Sequence, residues 1–350
     1  MSTSNLDSAN LKAVAYGGLI NEDVMQKIFD ISAIPLPFTD LIGTSKSKQE
    51  RRDWVTEELA APNPANFVVD GADASGNDTV TGDRVNNHHQ ESVKVVRVSD
   101  RANNSDVIGG QKELAKQISR RQQELKRDVE AILLLNQASL QDDGNTVAGR
   151  VGGLPTWLKS NTANLTTPVG FNSATGLTTV PTATADGIAL SETDVRAVIQ
   201  SIYENGGDPS VMMSTPAVIS KFSEYLFTSS ARVASMMSDQ GKSSTAATAL
   251  GAINVFVSDF GTVKLVSNRL QMKYGAAYAT PSLTAANADV FIFDPSYLEV
   301  SYLQNVMTKD LARTGLAANK QMSVDYTLVV KTEKAAGVIA SVNGALAAVG

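Results

Sequence analysis

Residues Gln111 to Leu140 hold neither proline nor glycine, and about thirty uninterrupted helical residues make a rod on the order of 45 Å long. A chain containing such a rod must be built around it. Leu114, Ile118, Leu125, Val129, Ile132 and Leu133 recur at three-, four- and seven-residue steps, which places them on one stripe facing a core. The remaining face mixes charges, with Arg120/Glu124 and Lys126/Glu130 spaced as helical neighbours. Such pairs add only about a few tenths of a kcal/mol each, so burial must hold the helix. A coiled coil would need more heptads and a cleaner seam. Gly109-Gly110 and Asp143-Gly144-Asn145 bound the segment.

Before the rod, residues 1 to 47 read as an arm. Asn21 to Asp30 makes a short helix, and Ile34-Pro35-Leu36-Pro37-Phe38 runs extended, since each proline biases its predecessor away from helix. Phe29, Leu36 and Phe38 make the arm too apolar for a disordered tail, so it lies against something larger. From Trp54 to Asp100 the pattern turns to strands: Phe67-Val68-Val69, the turn-forming run Asp70 to Asp78, then Val80, Val85 and the alternating Val93 to Val98. This is a long two-stranded excursion, and a lone hairpin is marginal in water, so it needs a partner surface. Lys46, Lys48, Arg51 and Arg52 sit at its root.

After the rod comes a low-complexity span, Ser160 to Leu190, expected on an exposed loop. Ser191-Glu192-Thr193-Asp194 resembles a capping box ahead of the helical stripe Val195, Val198, Ile199 and Ile202, which stops at Gly206-Gly207. Val211-Met212-Met213 reads as a buried strand. Thr215-Pro216 supplies an N-cap and first-turn proline for a helix with Val218, Ile219, Phe222 and Leu226 inward. Thr228 to Leu250 is small and polar. Strands follow at Ile253 to Val257, Val263 to Val266, Val290 to Phe293, Leu298 to Leu303 and Ser323 to Val330. Two lobes result, one over about 191 to 290 and one formed by the rod and the returning strands.

Composition excludes several chemistries. The chain has 350 residues and no cysteine, so disulfides, thiolate zinc sites and cysteine nucleophiles are out and a reducing, intracellular origin is the simplest expectation. A formal charge of −6 argues against a dedicated nucleic-acid binder. No apolar run reaches the ~18 residues of a membrane span, and the start Met-Ser-Thr-Ser-Asn-Leu-Asp shows no leader pattern. The two histidines, His88 and His89, are adjacent and would point to opposite sides of a strand, so they read as solvated loop residues and not as metal ligands. Gly241-Lys242-Ser243 lacks the glycine a phosphate loop needs five positions earlier, where Met236 stands. Asp70, Asp73, Asn77 and Asp78 do not have calcium-loop spacing. No catalytic constellation, metal site or cofactor site emerges, and no enzyme is expected.

Taken in order, the apolar arm, hairpin, charged rod, mixed lobe and returning strands resemble the major capsid proteins of tailed bacteriophages with the Hong Kong 97-like fold. The likeness is closest to the group named after phage SU ten. Carrying it are Gly110 to Glu130, Phe260-Gly261 with Val263 to Asn268, Phe291-Ile292-Phe293-Asp294, Leu311 to Gly315, and Thr327 to Gly337. The resemblance implies an α+β chain with an N-arm (1–47), an E-loop with flanking strands (48–100), a P domain (101–189) whose spine helix spans 108–140, an A domain (190–290) and returning P-domain strands (291–350). It implies a shell of hexamers and pentamers around double-stranded DNA in the virion, assembled in the bacterial cytoplasm. Partners would be other copies of the chain, separate scaffolding, portal and cement proteins, and DNA held weakly and without sequence preference, with no membrane contact.

Within that reading, Phe29, Leu36, Phe38, Arg51, Arg52, Trp54, Phe67 and Arg84 are the expected contacts between subunits. Thr228 to Leu250 is the expected loop near the capsomer axes. Some relatives cross-link through an E-loop lysine; no lysine lies between Trp54 and Gln90, so a non-covalent shell is expected. The alternatives are an encapsulin-like compartment with protein cargo and, further off, an enzyme with its site between Ser191 and Asp294.

Overall fold

The computed structural model describes residues 35–71, 73, 81–105, 112–184, 186–228, 255–275, 278, 281–313 and 315–349, with backbone alone for 223–228. The expected arm helix over 21–30 and the polar span 229–250 lie outside the described residues.

The first half of the chain runs α1 (Pro37–Leu41), β1 (Gly43–Lys46), β2 (Arg51–Thr56), β3 (Asp83–His88), β4 (Gln90–Ser99), α2 (Asp100–Asn104) and α3 (Glu113–Leu133). Short strands β5 (Thr162–Ala163), β6 (Leu165–Thr167), β7 (Phe171–Asn172), β8 (Leu177–Thr178) and β9 (Thr182–Ala183) follow. Then come α4 (Glu192–Glu204), β10 (Val211–Ser214), α5 (Pro216–Thr228), β11 (Val255–Ser258), β12 (Gly261–Ser267), β13 (Lys273–Tyr274), β14 (Pro281–Ser282), β15 (Asn287–Phe293), β16 (Leu298–Asp310), β17 (Ala317–Val330) and β18 (Ala336–Asn343).

Two sheets organise these elements. The first has the order β1-β16-β17-β4, antiparallel except for the parallel β1–β16 pair. Helix α3 lies across β4 and β17, and its Leu125, Val129 and Leu133 are buried with Val96, Val98, Met322, Val324 and Leu328. The apolar stripe thus meets the inward residues of two strands, which is what its periodicity requires. The second sheet has the order β11-β12-β10-β15-β13-β14, with β18 added to β15 and β5 to β18. Under it, Val195, Val198, Ile199 and Ile202 of α4 are buried with Met212, Val290, Ile292 and Ile339.

Several expectations are corrected. The rod has 21 helical residues, because backbone groups beyond Leu133 find distant partners: the Asn136 amide donates to the Tyr274 hydroxyl at 2.7 Å and the Ser139 amide to Thr178 Oγ1 at 2.8 Å. Its expected Lys126/Glu130 surface pair does not form, since Glu130 is fully buried. Strand β18 joins the second sheet, not the first, and β15 runs through the boundary expected at 290/291. Val338, Ile339, Ala340 and Val342 are all buried, the signature of a strand covered on both faces. No strand forms at Phe67-Val68-Val69.

The polar span 160–190 is not simply an exposed loop. Thr178 is buried, accepting the Ser139 amide, and Asn161 is buried, donating to the carbonyls of Lys334 and Ala336. Small polar residues here satisfy backbone groups of other segments, a role that composition alone does not announce. Ser191 and Thr215 precede their helices as expected, but neither hydroxyl caps: Ser191 makes no side-chain cap bond and Thr215 Oγ1 has no partner. The left-handed Gly206, at φ 88°, does end α4. At Gly153 a Cβ would sit 1.9 Å from the Leu135 carbonyl oxygen, so only glycine lets this loop pass the end of α3.

Candidate assembly surface

Strands β2 and β3 pair from Arg51↔His88 to Thr56↔Asp83, forming the root of the excursion. Asp53 accepts hydrogen bonds from Arg51 Nε (2.8 Å) and from Arg84. Burial works to raise the Asp53 carboxyl, but the hydrogen bonds and charges of the two guanidinium groups outweigh it and hold the group below its ordinary value. Trp54 lies 5.4 Å from Trp157, which stacks on Phe171 at 5.7 Å. The charge cluster therefore ties the two strands of the root to each other, and the aromatic column holds the root to the body.

Beyond Thr56 the chain leaves that support, apart from the ion pair of Glu58 with Lys334. Leu59, Phe67, Val68 and Val69 are 98%, 82%, 84% and 80% exposed, and no strand forms between Glu57 and Gly71. Four large apolar side chains within the eleven residues from Leu59 to Val69 present a surface that a single copy does not cover.

The arm behaves differently. Phe38 is fully buried, edge-on to Phe293 at 5.7 Å. Its expected role between subunits is corrected: its ring belongs to the chain's own core. The device that holds it is Glu130 of α3, whose carboxylate accepts the Phe38 amide at 2.7 Å, the Thr39 amide at 2.9 Å and Asn268 Nδ2 at 2.8 Å. Arm, spine helix and the end of β12 meet on one side chain. Burial raises the Glu130 carboxyl, and these hydrogen bonds offset part of the rise. Glu130→Ala strands two buried donors and one half-buried donor, and is expected to lower the unfolding free energy of the unassembled protein by about 3 kcal/mol. Urea titration checks this, and an unchanged midpoint would refute it.

Of the other expected contacts, Phe67 is exposed, Arg51 and Arg84 are engaged on Asp53, Leu36 and Arg52 are half-buried, Trp54 packs on the chain's own Trp157, and Phe29 lies outside the described residues. The histidines are not solvated. His88 and His89 are both 8% exposed, and His89 Nδ1 lies 3.1 Å from Asp325 Oδ1. Burial, then the charge of Arg51 across the strand pair, lowers the His88 imidazole. Sequence reasoning missed Glu130, Asp289 and the His89–Asp325 pair, because each links segments more than fifty residues apart. Among the described residues no helix is long and apolar enough to cross a membrane, and no group of three or more metal-ligating side chains comes together.

Known proteins give the context for this geometry. The chain is 36% identical over 102 residues to the major capsid protein of Escherichia phage Phieco32, a match spanning 29% of this chain and 29% of that relative. Its fold is similar to the capsid of a native GTA particle (TM-score 0.58, 14% identity, 97% of this chain and 100% of that one). It is also similar to the capsid of Myoviridae phage XM1 (0.55, 10% identity, 93% and 100%). The SrpI encapsulin of Synechococcus elongatus PCC 7942 is similar as well (0.53, 11% identity, 95% and 96%). The fold is thus the Hong Kong 97-like α+β fold of phage capsids. The model of the SU10 major capsid protein matches residues 3–343, and a two-sheet body with an unsupported apolar excursion is what a shell subunit requires: the chain belongs to the SU10 major capsid protein family.

Proposed function

We propose that copies of this chain assemble into the closed, non-covalent icosahedral shell of a tailed phage, as hexamers and pentamers enclosing packaged double-stranded DNA. The observation that carries this is the stretch Glu57 to Gly71, whose apolar side chains lie open to solvent beside a body that is itself well packed. A neighbouring copy is the surface that covers them. The protein does structural work, in the virion capsid, after assembly in the host cytoplasm; scaffolding, portal and cement functions fall to separate chains. DNA is held by containment, since a chain at −6 attracts phosphate weakly.

Negative-stain microscopy of the purified protein tests this reading. Shells, tubes or capsomers are the expected result, and a monodisperse monomer at high concentration overturns it. Particles filled with protein instead of nucleic acid would favour an encapsulin-like compartment, which shares the fold. With no lysine between Trp54 and Gln90, boiled particles should run as a single band on a denaturing gel. A ladder of linked subunits would contradict the non-covalent shell.

A further inference from the structure

A groove of about 910 Å³ opens at the root of the β2–β3 hairpin. Five carboxylates line it, those of Glu50, Asp53, Glu91, Asp142 and Asp325, against the single guanidinium of Arg51. Asp53 is engaged by Arg51 and Arg84, whereas Glu50, Glu91 and Asp142 are exposed and make no ion pair among the described residues. His89 also lines the groove, with a side chain 4% exposed. An ionised carboxylate can only accept, so Asp325 Oδ1 fixes a hydrogen on His89 Nδ1, and in the neutral imidazole Nε2 is then an acceptor; that Nε2 has no hydrogen-bond partner among the described residues. A buried acceptor without a donor, in a groove of excess negative charge, fits a cationic N–H group.

The complementary feature lies on the same molecule and cannot reach. The hairpin of β16 and β17 carries Lys309 near the end of β16, which makes no ion pair among the described residues, and, just beyond that strand, Arg313, whose side chain is 67% exposed and whose one ion pair among the described residues is a 3.7 Å contact with Asp100. Beside them Leu311 and Leu316 are 39% and 85% exposed, while Val93, 44% exposed, lines the groove. The groove is at the Glu91↔Asp325 end of β4, whereas Arg313 lies by Asp100, next to the Ser99↔Ala317 end, and Lys309, paired with Gln321, is level with Val95. Along the strand, the eight steps from Glu91 to Ser99 span about 27 Å and the four from Glu91 to Val95 about 14 Å, more than either cationic side chain bridges. Two complementary surfaces that do not meet within one copy generate a head-to-tail contact between copies, which closes into rings or continues outward.

We propose that the end of the β16–β17 hairpin of one copy docks in the hairpin-root groove of the next, Lys309 and Arg313 meeting Glu50, Glu91 and Asp142 while the exposed leucines cover Val93. This rests on the shell-subunit reading above and adds a specific pairing to it. The test is a charge exchange. Glu91→Lys with Asp142→Lys, and separately Lys309→Glu with Arg313→Glu, should each retain the wild-type circular dichroism and melting curve yet cut particle yield at least ~tenfold. Combining all four substitutions should restore it. Wild-type yield from either pair, or no recovery in the combination, overturns the pairing.

A second arm does not depend on any variant folding. A peptide covering residues 306–318 should bind the unassembled wild-type protein, and the same peptide with Lys309→Ala and Arg313→Ala should not. Equal binding of both peptides, or competition by spermidine alone with no binding of the native peptide, rejects the turn as occupant. Wild-type protein that forms no particles would sink the shell reading instead, and the peptide arm still decides the contact.

Discussion

A chain carrying Phe67→Ser, Val68→Ser and Val69→Ser is expected to fold with an unaltered unfolding midpoint and to yield no closed particles. The three side chains are at least 80% exposed in the single copy, so their removal takes nothing from its core. Burying each against a neighbour is worth about 1.5–3 kcal/mol, and about 5 kcal/mol for the three would be lost at every contact they make. Sedimentation separates the outcomes: unassembled protein at all concentrations supports the role, while wild-type particles show that this stretch is not what joins the copies. A fall in the unfolding midpoint would mean instead that the stretch packs on its own body.

How far the sequence could be read depended on whether each instruction was local. The apolar stripe of α3, the Val195-to-Ile202 stripe of α4 and the buried run at β15 are periodic signals that survive without context, and the elements form where those signals lie. The ends of α3 could not be read in this way. Between Leu134 and Leu140 only Asn136 and Ser139 weakly disfavour helix; the segment leaves it because Tyr274 and Thr178, over a hundred and about forty residues away, take the Asn136 and Ser139 amides. Tertiary partners override propensity when the local preference is weak.

The same division applies to the candidate surface. Phe67, as a large apolar residue in a turn-rich excursion, was legible, and it is exposed. Phe38 looked alike in composition but is core, because Glu130 draws its backbone onto α3. On a helical wheel Glu130 belongs to a charged face, and no spacing rule distinguishes it from Glu124. The histidine pair misled for a related reason: buried imidazoles are tolerated where a carboxylate such as Asp325 lies opposite, and that partner is contributed by β17, far along the chain.

Asp289 carries the largest pH effect expected on the unassembled protein. It sits fully buried in β15, accepting the Tyr278 hydroxyl at 2.6 Å and the Ser341 amide at 3.1 Å. Burial raises its carboxyl to about 7, although both hydrogen bonds pull the other way. The folded value lies above the unfolded one, near 3.9. This group's contribution is therefore fully present below about pH 4 and is lost as pH rises toward 7, when the unfolded chain sheds a proton that the folded chain retains. At ~1.36 kcal/mol per unit the loss comes to about 4 kcal/mol. Asp289→Asn removes the titration while keeping an acceptor for the Ser341 amide. The variant should match the wild type near pH 4 and exceed its stability progressively up to pH 8, by about 4 kcal/mol if no other group compensates. Urea midpoints for both proteins across that range give the difference directly, with other titrating groups cancelling between them. Parallel pH profiles would show that Asp289 stays ionised in the fold, its charge held by Tyr278 and Ser341 more firmly than burial opposes it.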